Sequence, residues 1–267
     1  MHPVLFHIGA ILVPSYGAAV AVGVLLALFL AQHTARVGAL DQAKVWNLCV
    51  VALFVALIAQ RLLLVVLNMH DLAQHPSWLL TLAVVHHPLL TTAGSLAGAS
   101  AALFSARWFK LPIRQTADVL AAPLALGLAV EQLGALLAGS GYGTETNVRW
   151  AVTYVHPLAA LWCGTPLGVA LHPVQAYAAF AFLSLAVFLL VSQPAIRQPG
   201  DLAGLWFLGT GISVYITELW RDTEGRGSFA DGALDGPQLG AVVLVMAGAL
   251  LLLERKKPLP LSEAANG

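Results

Sequence analysis

The sequence predicts an all-α, polytopic membrane protein of seven transmembrane helices, with its N-terminus outside and its C-terminus in the cytoplasm. Three observations carry this. The 267 residues are 59% hydrophobic and 10% charged, whereas soluble domains carry about 25% charged residues. Seven apolar stretches approach the ~20 residues with which a helix crosses the hydrocarbon core. Lysine and arginine are shared unequally between the two sets of loops, and that asymmetry sets orientation.

The opening MHPVLFHIG holds no Lys or Arg. It lacks the basic n-region of a secretory signal, so the first apolar segment is expected to be retained. Spans are expected over 13–32, 46–68, 88–106, 116–138, 173–193, 202–220 and 237–254. Trp78–Val85 reads alternatively as an interfacial helix leading into the third. Within that span Ala93-Gly94 and Ala97-Gly98 repeat small residues every four positions, a spacing that lets helix backbones approach closely. Residues 139–172 are too long for a plain turn. They carry Tyr142, Trp150, Tyr154, His156 and Trp162, so they read as a small head on the outer surface, where Trp and Tyr anchor. Residues 1–258 then form one seven-helix domain with this head inserted between the fourth and fifth helices, and 259–267 form a disordered tail. No internal repeat supports an inverted-repeat transporter.

Nine cationic residues fall on one side: Arg36, Lys44, Arg107, Lys110, Arg114, Arg197, Arg255, Lys256 and Lys257. Three fall on the other, Arg149, Arg221 and Arg226, while Arg61 lies within a span. The richer side is cytoplasmic. The formal net charge is zero, and with no basic tail or acidic block no nucleic-acid partner is expected. Cys49 and Cys163 are expected at different depths, which predicts no disulfide.

This topology gives each intramembrane polar group a depth. Tyr16 opens the first span from outside, and Arg61 lies roughly 10 Å below the outer end of the second, at 1.5 Å per residue. Glu131 and Gln132 hold a similar depth in the fourth. His172 and Gln175 open the fifth, and Glu218 and Arg221 close the sixth. Five spans thus place polar groups in the outer half of the membrane, which predicts one cavity open to the outer leaflet. A charge inside a span is costly and marks a site unless it is paired. Arg61 and Glu131 are a candidate ion pair, as are Glu218 and Arg221 at i,i+3. The adjacent His86 and His87 diverge by about 100° on a helix, and His70 and His75 have only Asp71 as acidic company, so no metal site is expected. No HExxH, CxxC, GxSxG or Walker-type pattern occurs.

Several elements recur in a known family, in its order: Tyr16-Gly17, Arg61-Leu62-Leu63, the turn from Gly139 to Tyr142-Gly143, Trp150-Ala151-Val152, His172-Pro173-Val174-Gln175-Ala176-Tyr177 and Glu218-Leu219-Trp220-Arg221-Asp222. Over nearly its whole length the chain resembles the prolipoprotein diacylglyceryl transferases of the bacterial inner membrane. The resemblance implies transfer of diacylglyceryl from phosphatidylglycerol to the lipobox cysteine of prolipoproteins, by a monomer without a cofactor. Its partners would be phosphatidylglycerol or another phospholipid, and prolipoprotein signal peptides. It implies Tyr16, His172 and Glu218 as catalytic residues, and Arg61, Gln132, Gly134, Gly143 and Arg221 around the lipid head group.

The chain also departs from the family pattern. Where the fourth span of the family reads Gly-Arg-x-Gly-Asn, this one reads Glu131-Gln132-Leu133-Gly134-Ala135. The His/Tyr-Gly-Gly element is Thr92-Ala93-Gly94, and a second arginine position is Val214. Gln132 donates hydrogen bonds but cannot form the bidentate, charged arginine–phosphate fork. Three readings follow: a transferase built on the surviving residues, a non-catalytic phospholipid-binding or accessory homologue, and a small-solute transporter.

Overall fold

The computed structural model describes residues 2–8, 11–69, 88–195, 198–222, 228–229 and 234–254. His70, Asp71, His75, Trp78–Val85, His86 and His87 lie outside the described residues, as do Arg197, Arg226, Arg255, Lys256, Lys257 and the tail 259–267.

Eight helices occur among the described residues: α1 (Ser15–Val37), α2 (Gln42–Leu67), α3 (Pro88–Trp108), α4 (Ile113–Ala138), α5 (Pro157–Cys163), α6 (Val174–Ser192), α7 (Asp201–Glu218) and α8 (Gly236–Leu253). All but α5 coincide with an expected span. Five of them, α1, α2, α4, α6 and α8, are long and apolar enough to cross a membrane. The strands are short antiparallel pairs: β1 (Val4–Ile8) with β2 (Ile11–Pro14), β3 (Val152–Thr153) with β4 (Ala170–Leu171), and β5 (Ser228–Phe229) with β6 (Leu234–Asp235).

Helix α4 is the centre, packed against α1, α6 and α7. Its buried face is almost all small: Ala121, Ala122, Ala125, Ala129, Gly134, Ala135 and Ala138. Small faces let membrane helices approach until backbone touches backbone. A Cβ on Gly134 would stand 2.5 Å from Ala19 Cβ, and one on Gly23 3.3 Å from the Gly127 carbonyl. The α7–α8 pair uses the same device, with Gly248 against the Gly204 carbonyl. In α3, Gly94 faces Gln60 and Gly98 faces Ala56 of α2, so the small-residue repeat is a packing face.

The helix ends are tied together by polar groups. At the end away from the glycine turn, Thr34 Oγ1 donates to the Val119 carbonyl at 2.8 Å, and Gln193 Nε2 to the Thr34 carbonyl at 2.9 Å. Helix α7 has no N-cap side chain of its own. The Asp118 carboxylate of α4 serves instead, accepting from the backbone N–H groups of Gly200 at 2.6 Å and Ala203 at 2.8 Å. Orphan amides at a helix start need such an acceptor. Helix α8 carries a capping box between Asp235 and Gln238.

Candidate functional site

At the other end of the bundle α4 stops at Gly139, whose φ of +87° places it in the left-handed region that glycine tolerates. The chain then makes a tight turn, with Gly141 at φ +62°, and Gly143 pairs antiparallel with Arg221. Two backbone bonds brace this pairing: Thr144 N–H to the Trp220 carbonyl at 2.9 Å, and Asp222 N–H to the Tyr142 carbonyl at 3.2 Å. The turn is therefore joined to the end of α7. A Cβ on Gly141 would lie 2.5 Å from Arg221 Nη1, and one on Gly143 2.6 Å from the His172 carbonyl. Glycine at these positions lets a guanidinium and the start of α6 close directly on the turn.

Arg221 Nε sits 2.9 Å from Glu218 Oε1, with side chains 13% and 5% exposed. The expected i,i+3 pair is thus real and largely dry. Gln175, buried, donates its amide to the Ser140 carbonyl at 2.8 Å. His172 Nδ1 is 3.4 Å from the Tyr177 hydroxyl, which also accepts from Trp150 Nε1 at 2.7 Å. The Tyr177 ring meets Trp220 edge-on.

The segment between α4 and α6 has a small core of its own, Tyr154, Ala159 and Leu171 with Tyr142, Val152 and Val169. The Tyr154 hydroxyl donates to the Leu136 carbonyl at 2.9 Å. Burial pushes this phenol up to about 12, and the nearby Cys163 adds to the shift. Burial likewise raises the Cys163 thiol, against an opposing hydrogen bond with Ser140.

Tyr16 and Glu131 meet across the α1–α4 seam. The Tyr16 hydroxyl donates to Glu131 Oε1 at 2.9 Å, and Gln132 Nε2 to Glu131 Oε2 at 2.8 Å. In the structure the Glu131 carboxylate is met by the Tyr16 hydroxyl and the Gln132 amide. Helix α2 packs chiefly on α3, which leaves Arg61 on an exposed face of α2. Gly134, expected beside a head group, is buried against Ala19 and Tyr16 of α1. Val214 joins Leu128, Ala129, Ala178 and Phe182 in an apolar cluster. Ser140 and Gly141 were not singled out from the sequence. Their roles rest on a backbone carbonyl and a missing Cβ, and no side chain signals either.

The described residues contain no cluster of His, Cys, Asp or Glu that could hold a metal. A bundle of membrane-length apolar helices gathering a buried ion pair, a hydroxyl–carboxylate pair and a histidine at one end defines a multi-pass membrane protein with a polar site. Similarity to known proteins says which kind. The model of the prolipoprotein diacylglyceryl transferase family matches residues 3–254, and the chain belongs to that family. A phosphatidylglycerol–prolipoprotein diacylglyceryl transferase of Clostridium tetani is 23% identical over 227 residues, covering 85% of this chain and 88% of the relative. That of Trichormus variabilis is 29% identical over 268 residues, 97% and 92% respectively. That of Synechococcus elongatus is 27% identical over 256 residues, 94% and 86%.

Proposed function

We propose that the chain moves the diacylglyceryl group of phosphatidylglycerol onto the cysteine thiol of a prolipoprotein lipobox. The observation that carries this is the buried Glu218–Arg221 pair closed against the glycine turn, beside His172 and Tyr177. In the reaction the thiol sulfur attacks the terminal glyceryl carbon and a C–S bond forms. The C–O bond to phosphate breaks, and its electron pair leaves with glycerol phosphate. Negative charge builds on that leaving group, so a pre-oriented cation speeds the step. Arg221, held by Glu218, supplies it. His172 takes the thiol proton, and Tyr16, set by Glu131, faces the same site. Arg61 meets the head group from α2.

In the same reading α1 to α4 and α6 to α8 are seven spans, with the N-terminus outside and the C-terminus cytoplasmic. Residues 139–172 form the external head. The protein works as a monomer in the bacterial inner membrane. A groove of about 260 Å³ between α7 and α8, lined by Ile212, Ile216, Val242 and Met246 among others, suits an acyl chain just below Glu218.

The test is transfer from labelled phosphatidylglycerol to a lipobox peptide by purified protein, with Arg61→Ala and Glu218→Ala alongside. Turnover that both changes abolish is the expected result. No turnover by the native chain, with phosphatidylglycerol still bound, would refute the transferase reading in favour of the phospholipid-binding one. The Gln132 and Val214 positions, where the family pattern has arginines, are the reason to measure binding and turnover on one preparation.

A further inference from the structure

Two glutamines at the site share an arrangement that the transfer chemistry leaves unused. Gln132 Nε2 donates to Glu131 Oε2, and Gln175 Nε2 to the Ser140 carbonyl, both at 2.8 Å. Each amide nitrogen faces an acceptor oxygen, which orients the amide. The opposite atoms, Gln132 Oε1 and Gln175 Oε1, are therefore acceptors. Both are shielded from solvent and accept no hydrogen bond among the described residues. Buried carbonyls of this kind are ordinarily partnered. Beside Gln132 stands the Glu131 carboxylate, already holding the Tyr16 hydroxyl. This corner of α4 is rich in acceptors, and the Tyr16 hydroxyl is already committed to Glu131.

A phosphodiester brings only acceptors and a negative charge, so it is a poor match for Glu131 and Gln132 Oε1. The complement is a group that brings donors. Beyond the phosphate, a glycerol head has hydroxyls and an ethanolamine head an ammonium, whereas a choline head has neither N–H nor O–H. We propose that Gln132 Oε1, backed by Glu131, is a selectivity contact for the donor phospholipid, accepting a hydrogen bond from an O–H or N–H of its head group. This rests on reading the site as one for a phospholipid. It divides the labour: Arg221, over Gly141, faces the phosphate, and the α4 corner inspects what is attached to it.

The test uses two charge-matched lipid pairs with identical dioleoyl chains in nanodiscs, scored by the lipid retained on the released protein in native mass spectrometry. One pair is phosphatidylglycerol against phosphatidylmethanol, which keeps the charge and lacks the hydroxyls. The other is phosphatidylethanolamine against phosphatidylcholine. The donor-bearing member of at least one pair is expected to be favoured about ten-fold, equivalent to about 1.4 kcal/mol. The pair that shows the preference identifies hydroxyl or ammonium as the source. Gln132→Met, similar in shape but without the acceptor, should bring that ratio to within about two-fold. Equal retention within both pairs by the native chain overturns the proposal, and that comparison needs no variant to fold. A preference that survives in Gln132→Met overturns it too. Peptide turnover on the same preparation separates the two readings. Turnover without head-group preference removes this contact and keeps the transferase, and preference without turnover does the reverse.

Discussion

Replacing Gly134 with alanine tests whether the α1–α4 seam sets the site. The new Cβ would stand 2.5 Å from Ala19 Cβ and 3.3 Å from the Tyr16 carbonyl, against an ordinary carbon–carbon contact of about 3.5–4.0 Å. Both clashing groups are fixed to backbone, so no rotamer relieves them and the helices must part by about 1 Å. Overpacking of this kind costs about 1–3 kcal/mol. Gly127→Ala in the same seam is the control, because its Cβ would find its nearest neighbour, Ala27 Cβ, at 3.6 Å. Each variant gains about 1 kcal/mol of helix propensity, so the difference between them isolates the clash. At about 2–4 °C per kcal/mol, Gly134→Ala should melt roughly 2–12 °C below Gly127→Ala in detergent. Parting the helices by that distance also carries the 2.9 Å Tyr16–Glu131 bond out of hydrogen-bond range, so lipid transfer should fall with it. If the two variants melt together, or Gly127→Ala is the worse, close approach at Gly134 does not set this seam.

Three further outcomes are expected. Asp118→Ala removes the acceptor for two amides at the start of α7 and should cost about 1–3 kcal/mol, read as a lower thermal midpoint with phosphatidylglycerol binding retained by the folded fraction. Glu218→Gln leaves the Arg221 guanidinium without its buried counter-charge and should destabilise by about 3–5 kcal/mol; unchanged unfolding in denaturant would count against a dry pair. Burial holds the Cys163 thiol above its ordinary value of 9.0, and only the thiolate reacts. In a Cys49→Ala background, alkylation at pH 8 should therefore be slower than that of free cysteine and still climbing past pH 9. A rate that levels off below pH 9 would contradict the assignment.

How far the sequence discloses this arrangement varies by element. That Tyr16, Glu131, Gln175, Glu218 and Arg221 gather at one end of the bundle is readable, because apolar length places each residue along its helix. Which helices touch is not. The neighbour of α2 is chosen by Gly94 and Gly98 of α3, which admit Gln60 and Ala56, and small residues in one helix do not name the helix they will meet. The 139–172 segment shows in the sequence only by its length and aromatics. Its strands are two residues each, too short to show a period. The cap that Asp118 gives α7 spans 82 residues of sequence and leaves no local signature at either end.

The two attachments of α7 to α4 bear on how a lipid gets in. One end of α7 is held by Asp118, and the other by the strand-like pairing of Gly143 with Arg221. A slat fastened at top and bottom does not swing. The gap between these two helices is therefore a closed seam, and admitting a two-chained lipid sideways through it means unfastening one end first. Helices α2 and α3 lie mainly against each other and join the rest chiefly through α1. Both fastenings of α7 thus lie outside that pair, in α4, α7 and the glycine turn.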